Sequence, residues 1–147
     1  MHTYAVDLVW DQARKGTLTA PGLTHPIEVA TPPEFDGGMP GIWSPEHLYV
    51  AAISSCLMTT FLAIAAYSHL PFVSFTCPAE GTLAKGEGKL RMTHVRLRPR
   101  VVVPPGTDLA KAHRILEKAE AACLITQSVS AEVTLEAEVV EAPQGPA

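Results

Sequence analysis

Charge is what this sequence has least of. Of its 147 residues, 18% are Asp, Glu, Lys or Arg, where about 25% is usual. The deficit is local: residues 47–79 contain none of the four, and no Lys or Arg occurs from Gly16 to Ala84. Eleven basic side chains against fifteen acidic ones leave a net charge of −4, which excludes the basic footprint of a nucleic-acid-binding module. Three cysteines, Cys56, Cys77 and Cys123, are too few to staple a chain of this length, so a disulfide scaffold is excluded. None belongs to a Cys-x-x-Cys pair and no His stands at ligand spacing from one, so neither a metal nor a cofactor is expected. The first ten residues lack the basic start and apolar run of a secretory signal. The expected compartment is the cytoplasm, where thiols stay reduced and a functional cysteine is reactive rather than structural.

What is present suffices for a core. Apolar residues make up 47% of the chain, and its length is that of one domain. Tyr4, Val6, Leu8 and Trp10 alternate with Ala5, Asp7 and Val9, the period-two mark of a strand. Further strands are expected at Gly16–Ala20 and near Ile27–Ala30, forming an antiparallel meander. Six Pro and Gly residues between Thr31 and Trp43 forbid a regular element there, so that stretch is a long loop. Ser44-Pro45-Glu46 reads as a helix start, with Ser as cap, Pro in the first turn and Glu at the positive end. This helix is expected to run to Ser68, before Pro71.

A strand at Val73–Ala79 and a turn at Gly86-Glu87-Gly88 should follow. Next comes a strand with Thr93, Val95, Leu97, Val101 and Val103 on one face and His94, Arg96, Arg98 and Arg100 on the other. The basic face is expected to lie exposed beside Glu132, Glu136 and Glu138 across the sheet. Thr107 or Asp108 can cap a second helix whose apolar stripe is Leu109, Ala112, Leu116, Ala119 and Cys123. A last strand covers Val129–Val139. These elements predict one α+β domain over residues 1–141, with 142–147 a frayed tail.

The charge deficit falls on the first helix. Sixteen of the twenty residues from Leu48 to Tyr67 are apolar and none is charged, which is long enough to cross a bilayer. No Lys or Arg flanks it, however, and Ser54, Ser55, Cys56, Thr59 and Thr60 place a polar belt at its middle. The amphipathic strands on either side also need it as a core partner. No membrane is expected. A helix apolar all round is a buried one, and a chain of this size has difficulty enclosing six turns alone. A homodimer with these helices near its centre is expected, the small residues Ala51, Ala52, Ser54 and Ser55 allowing close approach.

Each cysteine has a plain reading as a small buried hydrophobe, and for Cys77, beside Val73 and Phe75, that reading is preferred. A reactive Cys56 would need its thiolate stabilised. It lies about three turns from Pro45, beyond the reach of the helix dipole. Its own helix holds no cation, so one would have to be borrowed. Glu46, roughly 15 Å away along a straight helix, could share a site with Cys56 only across subunits or by folding of the loop.

Ser44-Pro45-Glu46-His47-Leu48 followed by Ala51-Ala52-Ile53-Ser54-Ser55-Cys56 resembles the N-P-E-x-L…A…A-C helix of the OsmC/Ohr family, the osmotically inducible protein C and organic hydroperoxide resistance proteins. The segment Ala119–Thr126 around Cys123 resembles that family's C-P-[VIY]-S stretch, with Leu124 and Thr126 in place of Pro and Ser. The resemblance implies a swapped α+β homodimer with antiparallel sheets packed on two central helices. It implies a thiol peroxidase acting on organic hydroperoxides, with Cys56 peroxidatic and Cys123 resolving. Glu46 would partner a catalytic arginine, and Arg14, the only upstream candidate, would stabilise the thiolate. The resemblance also implies a dithiol reductant such as a lipoylated protein. Apolar residues among Trp43, Leu48, Met58, Phe61 and Phe72 would favour an alkyl peroxide over hydrogen peroxide. The alternative function is a non-catalytic binder of a small apolar ligand or thiol conjugate on the same dimeric scaffold.

Overall fold

Alternation of apolar and polar side chains produces strands at both ends of the chain in the computed structural model, which describes residues 1–144. Packing groups these residues into two units, Met1–Tyr49 and those from Val50 onward. Of the expected tail, 145–147 lie outside the described residues, whereas the Ala142 amide still donates to the Val103 carbonyl at 2.7 Å.

The first unit is a meander of β1 (Asp7–Gln12), β2 (Lys15–Thr19) and β3 (Ile27–Ala30), all antiparallel. Gln12 pairs with Lys15, so Ala13 and Arg14 alone make the first turn, with Ala13 in the left-handed region at φ 49°. Every residue of β1 is exposed, Trp10 at 73%. The Pro/Gly-rich loop is ordered by its own backbone. Thr31 donates to Arg14 and accepts from Met39, and Ala30 donates to Trp43 at 2.8 Å. Gly38 is required there, because a Cβ would collide with the Pro32 carbonyl.

Helix α1 (Pro45–Tyr67) starts as the sequence indicates. Ser44, fully buried, accepts the His47 amide on its hydroxyl at 3.2 Å, and His47 Nδ1 accepts the Ser44 amide at 3.3 Å. This is a reciprocal capping box with His in the place usually held by Glu or Gln.

In the second unit one stripe of α1, Ile53, Leu57, Phe61 and Ala65, is buried at every fourth position. Phe61 packs against Phe72 and Phe75 with ring centroids 5.4 and 5.0 Å away. Phe61 is fully buried in this cluster, and Phe72 is half-buried at its edge. Opposite that stripe Ser55, Met58, Thr59, Leu62, Ala63 and Ala66 are exposed. Within the chain, α1 is therefore buried on one side only. The helix ends at His69, whose φ of 55° is left-handed, and Lys111 Nζ donates to the Ser68 carbonyl at 2.8 Å.

The remaining strands pair as β4-β7-β9 and β5-β6-β8. β4 is Ser74–Thr76, β5 Ala79–Gly86, β6 Lys89–Leu97, β7 Arg100–Val103, β8 Glu132–Leu135 and β9 Glu138–Glu141. The long strands expected from periodicity are each broken once, at Pro78, at Pro99 and at Glu136-Ala137. Proline lacks the amide that a ladder needs. Hydrogen bonds cross the breaks, from Arg98 to Pro78, Glu136 to Leu97 and Glu138 to Pro99, so the ladders continue as one bent sheet. The hairpin β5–β6 turns at Glu87 and Gly88, both at positive φ.

Antiparallel sheets were expected, but β8 runs parallel to β6 and β9 parallel to β7. The reason is α2 (Leu109–Ala122), which forms the crossover that parallel pairing requires. Asp108 caps it, accepting the Lys111 amide at 3.2 Å. Its buried stripe is Ala112, Ile115, Leu116 and Ala119, while Leu109 is 39% exposed and falls outside it. On the sheet Val95, Leu97, Val101 and Val103 are fully buried. On the other face the arginines meet the expected carboxylates: Arg98–Glu136 at 3.0 Å, Arg100–Glu138 at 3.6 Å and Arg96–Glu136 at 3.8 Å.

Candidate active site

Sixty-six residues separate Cys56 from Cys123 in the chain, yet the fold brings their sulfurs together. Cys56 lies mid-way along α1, half-buried, and Cys123 is the fully buried C-cap of α2. Cys123 comes to this point because α2 turns abruptly there. Its backbone leaves helical geometry (φ −64°, ψ 115°) and a 3₁₀ turn, Thr126–Ser128, follows. The segment between, Leu124-Ile125, brings two backbone amides near enough to Cys56 to favour its thiolate. All three cysteines are free thiols.

The two thiols are driven in opposite directions. Burial alone would raise the Cys56 thiol, but hydrogen bonds outweigh it and hold the pKa below the ordinary value. The Cys123 S–H, the Ile125 amide, the Thr60 hydroxyl and the Leu124 amide all favour the Cys56 thiolate. The Thr60 hydroxyl lies 3.9 Å from Cys56 Sγ. Cys123 is pushed up, first by burial and then by giving its hydrogen bond to Cys56. Thr126, through its hydroxyl and its amide, acts in the other direction on Cys123. The Thr126 hydroxyl is itself buried without a hydrogen-bond partner. The expected need for a borrowed cation is thus met in part by neutral donors, which favour a charged sulfur by the same physics.

Arg14 and Glu46 lie in the first unit. Arg14 follows the left-handed Ala13 in the β1–β2 turn, and its Nε donates to the Thr31 hydroxyl at 3.3 Å. Its side-chain stem runs across Gly37, where a Cβ would stand 3.0 Å from Arg14 Cγ. It borders a cleft of about 230 Å³ that Leu8, Trp10, Val29 and Pro45 also line. Glu46, in the first turn of α1, has Oε2 buried without a hydrogen-bond partner. Such an oxygen costs roughly 1–3 kcal/mol when left unpaired.

Cys77 is half-buried rather than a core residue. Its strand ends at Thr76, and Val73 is 61% exposed. Its sulfur lies 3.8 Å from the Pro78 carbonyl, and burial pushes its thiol up. Among the described residues no three His, Cys, Asp or Glu side chains gather as a metal site.

Four groups at the cysteine pair escaped the sequence reading: Thr60, the Leu124 and Ile125 amides, and the Thr126 hydroxyl. Thr60 was accessible, since it stands four residues after Cys56 on the same helical face. The amides were not, because backbone donors leave no trace in a sequence once the chain has left regular structure.

Residues 37–138 match the family of OsmC-like proteins. The chain is 27% identical to the uncharacterized protein YmaD of Bacillus subtilis over 142 residues, 93% of each chain. It is 29% identical to peroxiredoxin OsmC of Escherichia coli over 93 residues, 63% of this chain and 64% of that protein. Among solved structures, an OsmC-like protein of unknown function from Vibrio cholerae superposes with a TM-score of 0.85 at 29% identity, covering 93% of this chain and 99% of the other. The fold and the two cysteine segments thus define one class: the chain belongs to the OsmC-like family, whose match takes in both Cys56 and Cys123.

Proposed function

We propose that this chain is a thiol peroxidase that reduces organic hydroperoxides in defence against oxidative stress. The observation that supports it most is a pair of neighbouring thiols driven in opposite directions, Cys56 below its ordinary pKa and Cys123 above it. The Cys56 thiolate attacks the hydroperoxide RO–OH, the O–O bond breaks, and RO⁻ takes up a proton and leaves as ROH. Sulfur loses two electrons and becomes a sulfenic acid. The Cys123 thiol then attacks that sulfur. An S–S bond forms, the S–O bond breaks, and the hydroxyl leaves as water with the thiol proton. A dithiol reductant, a lipoylated protein among the candidates, restores both thiols by exchange.

By likeness to the family we assign Glu46 to orient an arginine, and we propose Arg14, the only upstream candidate, as the group that stabilises the thiolate. We further propose a homodimer, in a reducing cytoplasmic setting, built from single-domain subunits over residues 1–141. The exposed Leu8, Val9 and Trp10 of β1 and the exposed side of α1 are what a second copy would cover.

The test is mass spectrometry of the reduced protein after one equivalent of cumene hydroperoxide. Two thiols should be lost to a Cys56–Cys123 disulfide. With Cys123→Ser the reaction should stop at a Cys56 sulfenic acid that dimedone traps. The rate of the first step should rise with pH through the Cys56 ionisation, at a pH below that of free cysteine, and then level off. A Cys56 no more reactive than free cysteine would overturn the reading, leaving the scaffold as a binder of apolar ligands or thiol conjugates.

A further inference from the structure

We infer that the dithiol reductant attacks at Cys56 and that Cys123 is the sulfur that leaves, because the fold keeps one of the two cysteines within reach and encloses the other. The inference rests on the disulfide proposed above and adds the direction in which it is opened. Cys123 is 0% exposed. Cys56 is half-buried, and its helix neighbours Ser55 and Thr59 are exposed. A second copy of the chain could add cover to Cys123 but never remove it, so the enclosure holds in a dimer as well. Thiol–disulfide exchange depends on which sulfur a thiolate can reach, and the incoming sulfur must line up with the bond that breaks.

What encloses Cys123 is the end of α2 and the turn that follows it. The Cys123 amide donates to the Glu120 carbonyl at 3.3 Å, and its carbonyl accepts from the Gln127 amide at 3.1 Å. The Ser128 amide donates to the Ile125 carbonyl at 2.9 Å and the Ser128 hydroxyl to the Leu124 carbonyl at 2.9 Å. Gln127 Nε2 donates to the Ala121 carbonyl at 3.0 Å. Reaching the Cys123 sulfur means opening this network. Acidity pulls the other way. The thiol of lower pKa leaves faster, and that is Cys56, so leaving-group strength alone would favour attack on Cys123. Access overrides it, since the burial that does most to hold the Cys123 thiol up also denies an attacking sulfur its approach.

The exchange then runs in two steps. A thiolate of the dithiol bonds to Cys56 Sγ, the Cys56–Cys123 bond breaks, and its electron pair stays on Cys123, which takes up a proton. The second thiol of the reductant attacks its own sulfur in that mixed disulfide. The dithiol closes to a cyclic disulfide and Cys56 leaves as a thiolate. Two electrons have passed to the protein; one proton ends on Cys123 and the other in solvent. A monothiol lacks the second step and leaves its mixed disulfide beside the Cys123 thiol, which re-forms the original bond.

The deciding experiment needs no peroxide. Cys77→Ser protein is oxidised with diamide, exposed to 2-mercaptoethanol, quenched with acid at intervals, alkylated with N-ethylmaleimide and mapped by peptide mass. The mercaptoethanol adduct should sit on Cys56, with Cys123 alkylated, in roughly tenfold or greater excess over the reverse. Opening by dithiothreitol should proceed at a rate that stays flat in urea below the unfolding transition, because Cys56 is reached without local unfolding. An adduct mainly on Cys123, comparable adducts on both, or a rate that climbs with subdenaturing urea overturns the inference, as does failure of diamide to join Cys56 to Cys123. If the disulfide forms with diamide and opens at Cys56 while cumene hydroperoxide oxidises neither thiol, the peroxidase reading fails and the direction of exchange stands.

Discussion

The two helices solve the same packing problem in opposite ways. Helix α2 is amphipathic: Ala112, Ile115, Leu116 and Ala119 go to the core, and Lys111, Glu117 and Lys118 go to its other sides. Its burial is complete within the chain. Helix α1 is apolar on every side, yet the chain covers only Ile53, Leu57, Phe61 and Ala65 and leaves Met58 and Leu62 near 40% exposed. The difference teaches where the cysteines get their chemistry. Cys123, on the satisfied helix, is fully enclosed and protonated. Cys56, on the under-covered one, is partly open and supplied with hydrogen bonds. In the proposed mechanism the first reacts with the hydroperoxide, as Cys56, and the second with its neighbour, as Cys123.

The largest effect should come from making the cysteines alike. Cys56→Ser should abolish consumption of cumene hydroperoxide, whereas Cys77→Ser should leave it near wild type; a peroxide assay on both checks this. Next is packing. Phe61→Ala, which empties the aromatic cluster under α1, should lower unfolding free energy by about 3–5 kcal/mol, and Leu116→Ala on α2 by about 2–5 kcal/mol. Denaturant titration measures both, and near-equal losses would show that the shared core treats the helices alike.

A smaller effect separates the helices' outer faces. Leu62→Glu should change the stability of a lone chain by roughly 0.5 kcal/mol or less, but it should dissociate the proposed dimer, read as a halved mass by light scattering. The reverse change on α2, Glu117→Leu, should leave the mass alone. If Leu62→Glu leaves the mass alone as well, the exposed side of α1 is not an interface. The smallest expected effect is on the charged sheet face. Arg100→Ala should cost about 1 kcal/mol or less, falling further at high salt, because the pair with Glu138 is half exposed.

Much of the fold was legible. Ser44-Pro45 announced the start of α1, Asp108 the cap of α2, and the alternation around Val95 and Val101 the buried face of the sheet. Each of these signals is local, carried by a side chain that acts on its own backbone or faces the side its neighbours dictate. Legibility failed where the backbone was interrupted and then resumed. Pro99 and Glu136-Ala137 break strands whose periodicity runs straight through them, because the ladder is restored by hydrogen bonds from a neighbouring strand. It failed again for strand direction, since β8 and β9 carry the same alternation whether they run parallel or antiparallel.

The site divides along the same line. Composition and spacing alone determined that a helix without charge beyond its first turn carries a cysteine, that a second cysteine ends an amphipathic helix, and that three cysteines and a net charge of −4 fit neither a disulfide framework nor a nucleic-acid footprint. These are properties of residue types and of distances along one element. Only the tertiary structure decided that Cys56 and Cys123 meet, and that burial, their effect on each other and the donors Ile125, Thr60 and Leu124 drive the two thiols in opposite directions. The physical reason is that thiol ionisation depends on donors within a few ångströms. Here those donors come from α1 and from a non-helical segment far along the chain, so a sequence in which no cation accompanies Cys56 still folds into a place where its thiolate is favoured.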